Sequence, residues 1–149
     1  MYTRIVVGVD GSELAKKALS HALTLAKEWN ARLFVVTATE PSTIIAPGAE
    51  MIAVNTGEFI AEMEEIKAQS AKSTLDEVEA AARQSGQSVE CIHVPSSIAA
   101  DAIIQTAKEK GADLIVMGSH GRRGLGRLLL GSQASEVLAH STVPVLVVK

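Results

Sequence analysis

One cysteine, Cys91, in a chain of 149 residues leaves no partner for an internal disulfide. Its neighbours Glu90 and Ile92 place it in a strand-like run, where a thiol is a small core residue rather than a nucleophile. Aromatic residues make up only 3% of a chain that is 47% hydrophobic, so the core must be built from Val, Ile, Leu and Ala. That composition suits helices laid against a buried parallel sheet. No apolar run approaches the length of a membrane span, and the opening MYTRIVVGVD is too short and too soon interrupted by Asp10 for a signal peptide. A soluble, cytoplasmic protein with no membrane partner is expected. With a net charge of -3 and no basic stripe interleaved with aromatics, nucleic acid is not an expected partner either. No second histidine or cysteine stands at ligand spacing from His93, so no metal ligand is assigned.

Two common phosphate signatures are also missing. No GxxxxGK followed by Ser or Thr occurs, and the first strand is followed by only Gly8 and Gly11 where a dinucleotide fingerprint needs GxGxxG. What the chain does have is a different glycine-rich stretch, LIVMGSHGRRGLGRLLLGS, from Leu114 to Ser132. An apolar run ends at Gly118, glycines recur at Gly121, Gly124, Gly126 and Gly131, and an amphipathic run opens at Ser132. Glycines let backbone N–H groups converge without side chains in the way, and a helix start adds unpaired donors and partial positive charge. Arg122, Arg123 and Arg127 lie in this stretch, with no carboxylate from Ser119 to Ala134. The pattern is that of a strand, an anion-binding loop and a helix start.

The rest of the chain alternates strands and helices within one expected domain, residues 1–149. Ile5 to Val9 reads as a buried strand, and Ser12 caps a helix with Leu14, Ala18, Ala22, Leu25 and Trp29 at helical spacing. Leu33 to Val36, continuing through Thr39, is a second strand. Glu40 to Gly57 has no clean period but is apolar, as expected of a segment that covers a cleft or touches a partner. Glu58 to Ser85 reads as a long helix whose inner face is Phe59, Met63, Ile66, Ser70, Ser73, Glu77 and Ala80. Ser88 to Val94 is a third strand, after which Ser96 or Ser97 caps a helix running to Lys110 with Ile98, Ala102, Ile103 and Ala107 inward. Asp113 to Met117, a helix from Ser132 with Ala134, Val137 and Leu138 packed, and Val143 to Val148 complete the series. Such alternation gives an α/β, doubly wound, parallel sheet. Asp10 stands at a strand's carboxyl end, where open sheets place ligand contacts, although an aspartate there can equally serve its own turn.

Gly118-Ser119-His120-Gly121, nine residues, then Gly131-Ser132 has the spacing G-x2-G-x9-G-[ST]. With VVGVDGSELAKKAL near the start and PVLVV at the end, the chain resembles the ATP-binding members of the universal stress protein family over essentially its whole length. The resemblance implies a five-stranded Rossmann-like sheet of order 3-2-1-4-5, of the adenine nucleotide alpha hydrolase-like type. It places Gly8 near adenine, Asp10 on the ribose and the backbone of Ala38 on the purine edge. Gly118, Ser119, His120, Gly121, Arg122 and Arg123 would wrap the ribose and phosphates, while Gly131, Ser132 and Gln133 would meet the terminal phosphates. The implied ligand is ATP, with or without Mg2+, and AMP or ADP fits the same motif. A homodimer through Val143 to Val148 is implied too, and a further protein partner is left open. Because the loop offers no carboxylate for metal or base, a nucleotide-dependent stress-response module with slow hydrolysis at most is expected, and no catalytic residue is assigned. A slow ATPase or phosphotransferase, an AMP-type sensor and a nucleotide-independent partner protein are the alternatives.

Overall fold

A computed structural model describes residues 1–42, 56–121 and 130–149. Its elements are β1 (Arg4–Gly8), α1 (Glu13–Trp29), β2 (Arg32–Thr39), α2 (Thr56–Gln84), β3 (Val89–Pro95), α3 (Ala99–Lys110), β4 (Leu114–Gly118), α4 (Ser132–His140) and β5 (Val145–Val148). The strands form one parallel sheet in the order β3-β2-β1-β4-β5, as expected. Ile5, Val6 and Val7 of the central strand are wholly buried, because the sheet is covered on both faces and neither side of β1 meets water.

α1 and α2 lie on one face, against Ile5, Val7, Leu33, Val35, Leu114 and Val116; α3 and α4 lie on the other, against Val6, Phe34, Val36, Ile115 and Met117. α1 starts as expected, with Ser12 Oγ accepting the Ala15 N–H at 3.2 Å. Its buried stripe is Ala15, Ala18, Leu19, Ala22, Leu23 and Ala26, turned slightly from the expected one so that Leu14, Leu25 and Trp29 sit at its margin.

α2 departs further from expectation. The buried positions are Ala71, Val78 and Ala82, with Leu75 partly covered, whereas Phe59 and Ile66 are 52% and 58% exposed. Length explains the difference. Twenty-nine residues of helix span about 44 Å at 1.5 Å per residue, while the eight residues of β2 span roughly 26 Å. The N-terminal half of α2 therefore overhangs the strand ends, and its apolar period has no sheet to face. α3 is not capped by Ser96 or Ser97 either. Ile98 stands at its cap position without a side-chain bond, and the Ala100 N–H donates instead to Gln133 Oε1 at 2.8 Å. β5 is shorter than expected, beginning at Val145, and it forms an edge of the sheet.

Candidate functional site

The sheet brings the carboxyl ends of β1 and β4 side by side, which is the switch point where open α/β sheets leave a crevice. After β1, Asp10 Oδ1 accepts the Ser12 N–H at 2.9 Å, so the aspartate does fix its own turn. Its other oxygen faces the glycine loop: a Cβ built on Gly121 would lie 2.7 Å from Asp10 Oδ2. Only a residue without a side chain lets these two segments approach so closely.

The loop after β4 is pinned at both ends. The Ser119 N–H donates to Val148 O at 2.8 Å, and Ser119 O accepts the Gly131 N–H at 2.7 Å, so the chain returns to within one hydrogen bond of its departure point. Ser119 is buried, and its Oγ lies 3.0 Å from His120 Nδ1. That bond sets the ring's orientation and leaves His120 Nε2 buried without a hydrogen-bond partner. A buried imidazole nitrogen in this condition costs free energy unless something supplies the missing bond. α4 then begins with Gly131 at its cap position and no side-chain cap, so its first N–H groups remain unanswered by the cap residue.

The opposite wall comes from β2 and α3. The β1–β2 ladder ends where the Val9 N–H donates to Val36 O at 2.9 Å, while β2 continues to Thr39 paired only with β3. Alternate residues of a strand turn their N–H and C=O to the same side, so those of Ala38 face the space that β1 has left. The open crevice has a volume of about 430 Å3, within the roughly 300–1,000 Å3 usual for small-molecule sites. Gly8, Asp10, Ala38, Gly118, Ser119, His120, Gly121, Gly131, Ser132 and Gln133 all line it. Arg122 and Arg123 lie outside the described residues, as do residues 43–55 of the segment expected to cover a cleft. Gln133 is present but its carbonyl oxygen is committed to α3.

Sequence reasoning passed over the crevice's apolar wall, made by Ile103, Ala102 and Met117, and two polar residues at its far end, Glu40 and Ser97. Ile103 was legible as a packing residue, and it packs closely enough that a Cβ on Gly8 would lie 2.5 Å from its Cδ1. Glu40 comes directly after β2 and Ser97 two residues after β3, and their place just past strand ends was the available signal. Cys91 behaves as a core thiol, its pKa pushed up to about 11 by burial and by the nearby Glu79 and Asp76. His93 Nε2 lies 2.9 Å from Thr39 Oγ1, and among the described residues no group of three or more His, Cys, Asp or Glu could hold a metal.

The family model of the universal stress proteins matches residues 1–149. The chain belongs to the universal stress protein family. A universal stress protein of Methanocaldococcus jannaschii is 35% identical, the match covering 100% of this chain and 83% of that one. Among solved universal stress protein structures, UspA of Lactobacillus plantarum superposes with a TM-score of 0.82 at 25% identity over 99% of this chain and 98% of its own. A universal stress protein in complex with cAMP gives a TM-score of 0.72 at 27% identity, covering 99% of this chain and 97% of that one. The dAMP complex from Archaeoglobus fulgidus gives 0.69 at 25% identity, with 99% and 98% covered. No helix among the described residues is long and apolar enough to cross a membrane.

Proposed function

We propose that this universal stress protein binds an adenine nucleotide, ATP with or without Mg2+, in the crevice between β1 and β4, and acts in the stress response through its bound state. The observation that carries this reading is the pinned glycine loop set against Asp10. Ser119 O and the Gly131 N–H close the loop, the start of α4 has no side-chain cap, and His120 Nε2 has no hydrogen-bond partner among the described residues. Those groups suit an anion. Asp10 Oδ2 suits a ribose diol, and the main chain of Ala38 suits the donor–acceptor edge of adenine. Ser132 and Gln133 line the phosphate end; Arg122 and Arg123 add charge to the same loop. Relatives bound to cAMP and dAMP support the adenine nucleotide class.

A second reading, AMP-type sensing, is favoured by those same two ligands, which carry a single phosphate each. Calorimetric titration of the purified protein with ATP–Mg2+ and with AMP separates the two. ATP binding about tenfold or more tighter supports a triphosphate site, equal affinities support the monophosphate reading, and no heat with either refutes nucleotide binding. Turnover of bound ATP stays below about 1 per second, the low end for kinases, and steady-state phosphate release measures it. The cytoplasmic placement and single-domain organisation expected from the sequence belong to the same proposal.

We also propose a homodimer through β5. That strand is an edge, its Leu146 is 37% exposed, and unpaired parallel edges invite a second chain. Light scattering at micromolar concentration reads the mass directly, and a monomer there refutes the dimer.

A further inference from the structure

The overhanging half of α2 carries an apolar stripe that is exposed among the described residues. Phe59, Met63 and Ile66 follow the i, i+4, i+7 spacing of one helix face, and the first and last are 52% and 58% exposed. At roughly 100° per residue, this stripe lies about a third of a turn from Ala71, Leu75, Val78 and Ala82, the positions that meet the sheet. Glu58, Glu62 and Glu65 border the stripe on its outer side, and all three are exposed. On the inner side, Glu64 accepts the Ser42 N–H at 2.9 Å and Lys67 Nζ donates to Glu40 O at 2.6 Å. Among the described residues, the lysine beside the stripe is therefore already engaged, and the outer border is acidic.

We infer that this face docks a basic amphipathic helix of a partner protein. Charge decides between the possible occupants. A second copy of the same face would bring two rows of glutamate together, whereas a helix with apolar anchors flanked by lysine or arginine matches both the stripe and its border. Three anchors make a small contact, so binding is transient and salt-dependent. The inference does not depend on the nucleotide reading, since neither its apolar anchors nor its bordering glutamates line the crevice.

The probe is a synthetic leucine–lysine peptide of about five helical turns, patterned so that its leucines share one face. Its control is a peptide of the same composition with the leucines spread around the axis. Fluorescence anisotropy with the full-length protein is expected to show the patterned peptide binding about tenfold tighter. Phe59→Ser with Ile66→Ser should weaken it by a similar factor. Glu58→Gln, Glu62→Gln and Glu65→Gln together should weaken it several-fold and flatten its salt dependence. Equal binding of the two peptides, or binding indifferent to the serine substitutions, overturns the inference. So does a drop in melting temperature of several degrees in Phe59→Ser with Ile66→Ser, which means that the chain covers this stripe itself. A wild-type mass in light scattering that falls when Ile66 becomes serine also overturns it, in favour of a second copy.

Discussion

The open groove between α1 and α2 has a volume of about 950 Å3, more than twice the roughly 430 Å3 of the crevice at the strand ends, and the two share Val9 and Ala15 in their walls. The larger hollow is walled by the flanks of two helices. Leu19, Leu23 and Val78 form its floor, and Lys16 reaches across to Glu77 at 3.8 Å. Most of its lining is mid-helix, where amides are spent on their own helix, so this groove offers a polar ligand chiefly mobile side chains. The smaller hollow is walled by element ends: the exit of β1, the overrun of β2, the start of α3 and the start of α4. Backbone groups are left over at such ends, and they are fixed in place. Where a cavity lies along its elements matters more for nucleotide recognition than how large it is.

Gly121→Val is the most damaging test of that contrast. Its Cβ would crowd Asp10 Oδ2 and push the loop from the β1 turn, so ATP affinity should fall about 100-fold, or ~2.7 kcal/mol, while circular dichroism stays native. Calorimetry reads the loss, and an unchanged affinity would remove the loop from the site. In the other hollow, Leu23→Ala should lower unfolding free energy by about 3 kcal/mol yet leave nucleotide affinity within twofold. A parallel loss of both would mean that the two hollows are not separate in function.

The smallest effect concerns the rim that α2 holds. The Ser42 hydroxyl, then the Ser42 N–H, hold the Glu64 carboxyl below its ordinary value of 4.5. The hydroxyl makes no hydrogen bond of ordinary geometry, so the N–H contact at 2.9 Å is the firmer of the two. A carboxyl whose pKa is depressed in the folded protein stabilises it above the unfolded value, and that contribution is lost as pH falls through the lower folded value. Wild type should therefore melt slightly above Glu64→Gln at pH 7, and the two curves should converge on acidification below 4.5. Because Glu40 lines the crevice and Lys67 grips its carbonyl, Lys67→Ala should weaken ATP binding about twofold to threefold, less than 1 kcal/mol. No change would uncouple α2 from the crevice.

The meeting of Asp10 with the glycine loop was legible before any coordinates, because alternating elements and the resemblance together place β1 beside β4. Burial at the centre of the sheet was legible too, since Ile5, Val6 and Val7 form an unbroken apolar run. The inner face of α2 was not: apolar period reports that a helix has a greasy side, but not whether the sheet extends far enough to meet it. Nor was the cap of α3. Ser96 and Ser97 are good local candidates, but Ser96 takes a left-handed φ of 53°, and the acceptor that Ala100 uses lies 33 residues away on Gln133. Caps drawn from another helix leave no local pattern to read.

That borrowed cap has a mechanical meaning. By joining the first turns of α3 and α4, the Gln133 amide makes the crevice ceiling a single beam, and prising the two helices apart would strand the Ala100 amide at a cost of about 1 kcal/mol or more. The spacing of the two helix starts above the crevice is therefore held in part by one side chain, and not by the sheet alone.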